Sequence, residues 1–476
     1  VRKGLLQGVF VAAGALVAGA LTMTACGSEA GNDTVDEKGG NGSSGGSSGK
    51  LGESAPCTGI ACQQVQCADP NVTTTVSGIV TAPNGTLPLY NAIVYVPSEP
   101  LEPLAEGASC DRCGSVSGKP LVAAVTGADG KFVLKNVPVG KDIPLVVQVG
   151  KWRREVKLGN VAECVDNPIT DVNVTRLPKS QAEGHLPKIA VTTGRCDQLA
   201  CLLPKLGIDA SEYTPSSGNG RLHIYRGAAH SSVPAPAPAG SLDATELWND
   251  VDSLKKYDMV MLSCECGEHN ESKPNAAKQA MYDFASMGGR VFASHYHYAW
   301  TQTGPLKGTA QWLGGSASSE SKGPFFVDTS FPKGAALADW LVGVQATTKH
   351  GEIPISQPRE DVGSVVAPTQ RWVYEKRWLV PGVIEDPVMP QSTKYLSVNT
   401  PVGKTTEDQC GKFVFADMHL YGGDVQDPGP TALPNDAFPG SCSKDLTPEE
   451  KALAFLFFDL SSCVQDDTQP PTAPIK

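Results

Sequence analysis

Basic residues are in short supply. Lys and Arg number 39 against 50 Asp and Glu, for a net charge of −11. No basic run is long enough to neutralise a phosphate backbone, which excludes nucleic acid as a partner. Long apolar runs are missing where one is first looked for: "VFVAAGALVAGAL" at 9–21 is too short to cross a bilayer as a helix. Aromatic residues make up only 7% of the chain and form no platform of the kind that stacks on sugars. Glycine and proline are plentiful, at 50 and 37, and predict many loops and β-turns. A length of 476 residues points to two or three domains.

Arg2 and Lys3 precede the apolar stretch and small residues follow it, so residues 1–25 read as a signal peptide. "MTAC" at 23–26 resembles a bacterial lipobox. That resemblance implies lipidation of Cys26, which becomes the mature N-terminus, and a membrane-anchored place in the cell envelope, outer membrane or periplasm-facing surface. Residues 26–56 include "GGNGSSGGSSGK", a flexible tether with almost nothing apolar to bury. Thiols of an exported chain pair under oxidising conditions. Of the 14 Cys, Cys26 is set aside and an odd number remains. One cysteine is therefore unpaired, joined to another chain or bound to something else. In residues 57–70, Cys57, Cys62 and Cys67 recur at a spacing that suits a disulfide knot better than a zinc site.

Residues 71–178 alternate like β-strands. "TTTVSGIVTAPNG" ends in the turn Asn84-Gly85, "TGADGKFVLKNVPVG" has the turn Asp129-Gly130, and "IPLVVQVGKWRREVKL" turns at Gly150. The order of these segments resembles the carboxypeptidase regulatory-like domain, which implies a transthyretin-like seven-stranded sandwich. The loop at 98–121 departs from that pattern and carries Cys110 and Cys113, for which a local disulfide, or bridges to Cys164 and the upstream knot, are expected. Trp152 reads equally as a packing residue or a sugar-stacking one.

Residues 185–465 change period. "PKIAVTTG", "YDMVMLSC", "RVFAS" and "GKFVFAD" are strands. "RCDQLACLLPKLG", "LWNDVDSLKKY", "KPNAAKQAMYDFASMGG" and "LTPEEKALAFLFFDLSSC" are helical, the last opening with a Thr447–Glu450 capping box. Residues 214–241 and 301–393 read as insertions, the second long and rich in loops, and 466–476 as a disordered tail. The fold class expected is thus multidomain: a small antiparallel β-sandwich, then an α/β three-layer domain with a mostly parallel sheet. The strand and helix order at 186–300 and 411–462 resembles the class I glutamine amidotransferase-like fold, in its ThuA-like branch. In that family a strand ends in a nucleophilic Cys on a tight elbow. The matching position here is His295, within Ala293-Ser294-His295, so the resemblance implies a body without glutamine hydrolysis.

Strands of a parallel sheet share a carboxyl edge, and ligands gather there. Three strands deliver polar groups to that edge: Cys264, Glu265, Cys266 and His269 after one, His295 and His297 after the next, Asp417 and His419 after the last. His295, His419 and Glu265 are the candidates for general acid–base work, and His269, His297 and Asp417 for ligand binding. The imidazoles with a carboxylate could instead hold a metal ion. The opposing reading is that Cys264 and Cys266 staple the edge to Cys196 or Cys201 and that the histidines are satisfied internally. The sequence names no cofactor. It favours a non-catalytic binder of a carbohydrate or other envelope component over a hydrolase or sugar-modifying enzyme.

Overall fold

The computed structural model describes residues 59–473 apart from 111–115, 198, 230, 231, 233, 314–322, 381–383, 388–390, 420–441, 443 and 444. The signal peptide, Cys26, the tether, Cys57 and Cys113 lie outside the described residues.

Alternating sequence makes the first seven strands: β1 Thr75–Ile79, β2 Ile93–Pro97, β3 Pro120–Val125, β4 Lys131–Lys135, β5 Gly140–Val149, β6 Trp152–Val161 and β7 Asp166–Pro168. In β4 the period of two is complete, with Phe132 and Leu134 inward and the flanking residues exposed. Two sheets result, β4-β1-β7 and β3-β2-β5-β6. All neighbours are antiparallel except β1 and β7. Gly150, in the β5–β6 turn, has φ +53°, and a Cβ there would stand 1.8 Å from the Ser461 carbonyl oxygen. Only glycine lets this turn touch the rest of the body so closely.

The remaining strands are β8 Ile189–Thr192, β9 Tyr213–Pro215, β10 Leu222–Tyr225, β11 Met259–Leu262, β12 Arg290–Ser294, β13 Ala310–Trp312, β14 Phe325–Val327, β15 Glu352–Ile353, β16 Val362–Val365, β17 Gln370–Lys376, β18 Trp378–Val380, β19 Ile384–Glu385, β20 Gln391–Thr400 and β21 Gly411–Ala416. Ten of them form one sheet, in the order β15-β14-β17-β20-β21-β12-β11-β8-β10-β9. From β21 to β9 the neighbours are parallel. From β21 to β15 they are antiparallel. The sheet is therefore mixed, with five parallel and four antiparallel neighbouring pairs, because β14, β15 and β17 from the stretch expected to be loops, and β20 at its end, add an antiparallel half to the parallel one. Its strands escape a hydrophobic pattern because buried positions are polar. Ser392, Thr393 and Lys394 are all buried in β20. Thr393 donates to the Gly363 carbonyl at 2.7 Å, and Lys394 donates to Ser392 Oγ at 2.9 Å. Likewise β10 sits inside the Pro/Ala/Ser-rich stretch at 214–241.

Three longer helices cover the sheet among the described residues: α1 Asn275–Ser286, α2 Pro332–Gly343 and α3 Pro448–Ser461. Ala277, Ala280, Met281 and Phe284 form the buried face of α1, as their spacing predicts. Helix α3 starts with Pro448 after a Thr447–Glu450 capping box. The stretch "LWNDVDSLKKY" is broken into two short turns, because Asp250 leaves the helical conformation and caps the second one, accepting from Asp252 N. No described helix is long and apolar enough to cross a membrane.

The sandwich packs on the α3 side of the sheet. One hydrophobic core runs from Val76, Leu134 and Trp152 through Met259 and Phe292 to Leu453 and Phe458. A second core, under α1, fills the other face. Trp152 is fully buried, edge-on to Phe457 and Phe458 of α3, so it is a packing residue. Lys151 Nζ donates to Asp258 at 2.6 Å and to the Ala105 carbonyl at 2.9 Å, in a buried contact between the β5–β6 turn and the start of β11.

Disulfides join Cys67 to Cys164, Cys110 to Cys410, Cys196 to Cys266 and Cys201 to Cys442. Cys62 and Cys463 are also disulfide-bonded. The Cys110 expectation is corrected. Its partner is neither local nor in the sandwich but lies 300 residues away, just before β21. Sequence proximity misled there because the 98–121 loop leaves the sandwich, with Ala108 N donating to the Lys255 carbonyl. The beginning of the tail is also ordered: Asp467 is buried, 2.6 Å from Lys333 Nζ.

Candidate functional site

Four adjacent parallel strands, β8, β11, β12 and β21, end at one edge. After β8 the chain reaches Asp197, after β11 Cys264, after β12 His295, and after β21 Asp417 and His419. A fifth contribution crosses from the β15–β16 connection. Pro358 bridges Met418, His419 N donates to the Gln357 carbonyl at 3.0 Å, and Val362 N donates to Asp417 Oδ2 at 3.0 Å. This crossing carries Asp361 to the strand ends.

Cys264, His295 and His419 meet. One possible ligand atom from each lies within 4.8 Å of the others, and all three residues are buried. Cys264 Sγ is 3.4 Å from His295 Nδ1, and the rings of His295 and His419 cross at 4.3 Å. Each imidazole also has a nitrogen beside a carboxylate: His295 Nε2 is 3.3 Å from Asp361, and His419 Nδ1 is 3.2 Å from Asp197. Asp197 is held in turn by Ser294, whose hydroxyl donates to it at 2.6 Å. His295 turns the chain with φ +37°, straight out of β12 into a 3-10 turn at His295–Trp300. A non-glycine residue in that region carries strain of order 1–3 kcal/mol and persists only where its surroundings fix it. The elbow is therefore present, with an imidazole on it and no α-helix behind it.

Cys264 is the free cysteine among the described residues. Burial, and after it the neighbouring Asp197 charge, push its thiol well above the ordinary range. Burial lowers His295, against the opposing pull of Asp361. Burial, and after it the Asp361 charge, push the Asp417 carboxyl well above the usual carboxylate range.

The other sequence candidates lie apart from this trio. Glu265 pairs with Lys273 at 2.6 Å and accepts from Ala228 N at 2.7 Å. His297 is a satisfied core histidine: Nε2 faces the Ser263 carbonyl at 2.8 Å and Nδ1 accepts from the Trp300 indole at 3.1 Å. Burial takes its pKa down to about 4. His269 stands further out, 3.3 Å from Glu271 and from the Glu265 carbonyl. Cys266 is taken by Cys196. The sequence reading missed Asp197 and Asp361. Asp197 had a usable signal, its place just beyond a strand end in "TTGRCD". Asp361 had none, because its strand neighbours were not legible.

Chemically, the cluster and its carboxylates can do two things. Cys264, His295 and Asp361 line up as thiol, imidazole and carboxylate, the order of a nucleophile, its base and an orienting acid. The two imidazoles and the sulfur can also close on one metal ion.

Together these elements define a β-rich, disulfide-crosslinked body built on a ten-stranded mixed sheet, with a buried Cys-His-His cluster at its parallel edge. No family model matches the chain, and no curated protein matches it. Among solved structures, a type II cohesin–X-dockerin complex from Acetivibrio cellulolyticus is similar at 18% identity, over 31% of this chain and 79% of that one, with a TM-score of 0.14. A streptococcal ancillary pilin is similar at 12% identity, over 37% of this chain and 46% of that one, also with a TM-score of 0.14.

Proposed function

We propose that this is a lipid-anchored cell-envelope protein that binds a carbohydrate or other envelope component without processing it. The observation that carries the non-catalytic part is the elbow. The strained position at the end of β12 holds His295, and the neighbouring thiol, Cys264, is buried with its pKa raised. A thiol nucleophile needs the opposite, an exposed sulfur with a lowered pKa. The disulfides fit maturation in an oxidising compartment. The seven-stranded sandwich and the parallel run from β21 to β9 support the resemblance to carboxypeptidase regulatory-like and ThuA-like domains.

One observation favours a second reading. The alignment of Cys264, His295 and Asp361 would serve a hydrolase or sugar-modifying enzyme if the thiol became accessible.

Anchoring is tested by fractionating cells that produce the full chain. The wild-type protein is expected in the membrane fraction and Cys26→Ser in the soluble fraction. Equal membrane partition of the two would contradict lipidation at Cys26.

A further inference from the structure

We infer that Cys264, His295 and His419 bind a zinc ion. Three independent features of the cluster lead there. The first is the donor set. One sulfur and two imidazoles are ligands that zinc takes readily, and they converge from three different strand ends. Cys264 Sγ and His295 Nδ1, at 3.4 Å, already have the separation of two donors on one tetrahedral ion, roughly 3.3–3.7 Å for bonds of about 2.0–2.3 Å. The outer limit of 4.8 Å for the whole trio closes to that separation with side-chain movements of about 1 Å.

The second feature is the shell behind the ligands. Metal-binding histidines hold their other nitrogen against a carboxylate, which fixes the ring and makes it a better donor. Both imidazoles have such a carboxylate, Asp361 for His295 and Asp197 for His419, and Asp197 is itself held by Ser294. The buried His297 nearby looks different: it rests on a carbonyl and an indole.

The third feature is the survival of one thiol among many disulfides. Cys264 is two residues from Cys266, which is oxidised onto Cys196. A zinc ion would hold the sulfur as thiolate, its proton passing to the buffer, and would involve no change of oxidation state. The assignment does not depend on how the chain is anchored.

The test uses the full chain produced by export, with its disulfides intact. The protein is stripped with a chelator, reloaded with zinc or with cobalt(II), and dialysed. The inference expects about one tightly held zinc per chain by elemental analysis. It also expects a thiolate-to-cobalt charge-transfer band in the cobalt form. Cys264→Ser should abolish that band, and Asp197→Asn, which touches no ligand atom of the metal, should weaken zinc binding by about 10–100-fold. The inference is overturned if the wild-type protein retains neither zinc nor cobalt. It is equally overturned by a cobalt form without a thiolate band. Because the wild-type spectrum decides, a variant that fails to fold leaves the test intact.

Discussion

Lys333→Met is expected to lower the unfolding free energy by about 3–5 kcal/mol, the usual cost of breaking a buried ion pair from one side. Lys333 is fully buried at the start of α2, with Nζ 2.6 Å from Asp459 and 2.6 Å from Asp467. Lys412 closes the box from β21, at 2.9 Å from Asp459 and 3.2 Å from Asp467. Two cations and two anions balance there. Methionine keeps the aliphatic stem and removes the charge, which leaves two buried carboxylates facing one ammonium. Burial works against the Asp459 carboxylate, but Lys333 and Lys412 outweigh it and hold its pKa below the ordinary range. Because the folded-state pKa is depressed, this stabilisation is complete above the ordinary carboxylate range and is lost as pH falls through the depressed value. Urea unfolding at neutral pH measures the effect. A loss under about 1 kcal/mol would mean that the box is solvated like a surface pair.

Trp152→Ala should cost a similar amount, about 3–5 kcal/mol. Trp152 opens β6, has no exposed surface, and meets Phe457 and Phe458 edge-on. Its removal leaves a cavity where the sandwich joins α3. The glycine turn beside it cannot collapse inward, because the backbone there is already in contact with Ser461. The Cys110–Cys410 crosslink keeps the two parts together, so the expected signature is a sandwich that unfolds at lower urea than the ten-stranded sheet. Proteolysis across the urea range would reveal it as early cleavage within residues 71–178. Unchanged, simultaneous unfolding would show that the join does not depend on this side chain.

Much of the architecture is legible in the residues. Strands with strict alternation, such as β4, and helices with a clean apolar face, such as α1, can be read directly. Signals made by one or two residues also hold, including the Thr447–Glu450 capping box. What fails is the pattern-poor stretch at 301–393. At its end, in β20, buried Ser392, Thr393 and Lys394 trade apolar side chains for internal hydrogen bonds, and no apolar period survives there. The site divides in the same way. His295 and His419 could be placed by their strand ends, and the odd cysteine count required one unpaired thiol or its equivalent. Which thiol it was depended on the pairing of Cys266 with Cys196, and that Asp361 would stand behind His295 depended on the crossing segment at 357–362. Glu265 shows the limit of strand-end reasoning. It follows the right strand, yet its side chain turns to Lys273.

In the proposed function, the sheet edge carries no thiolate nucleophile. Alkylation of Cys264 in the native protein, read by mass spectrometry of the Cys264 peptide, tests it most directly. An excess of iodoacetamide at neutral pH is expected to leave Cys264 unmodified until the chain is unfolded, when it reacts fully. Rapid, stoichiometric alkylation of the folded protein, suppressed in a His295→Ala variant, would contradict it and make Cys264 an activated nucleophile.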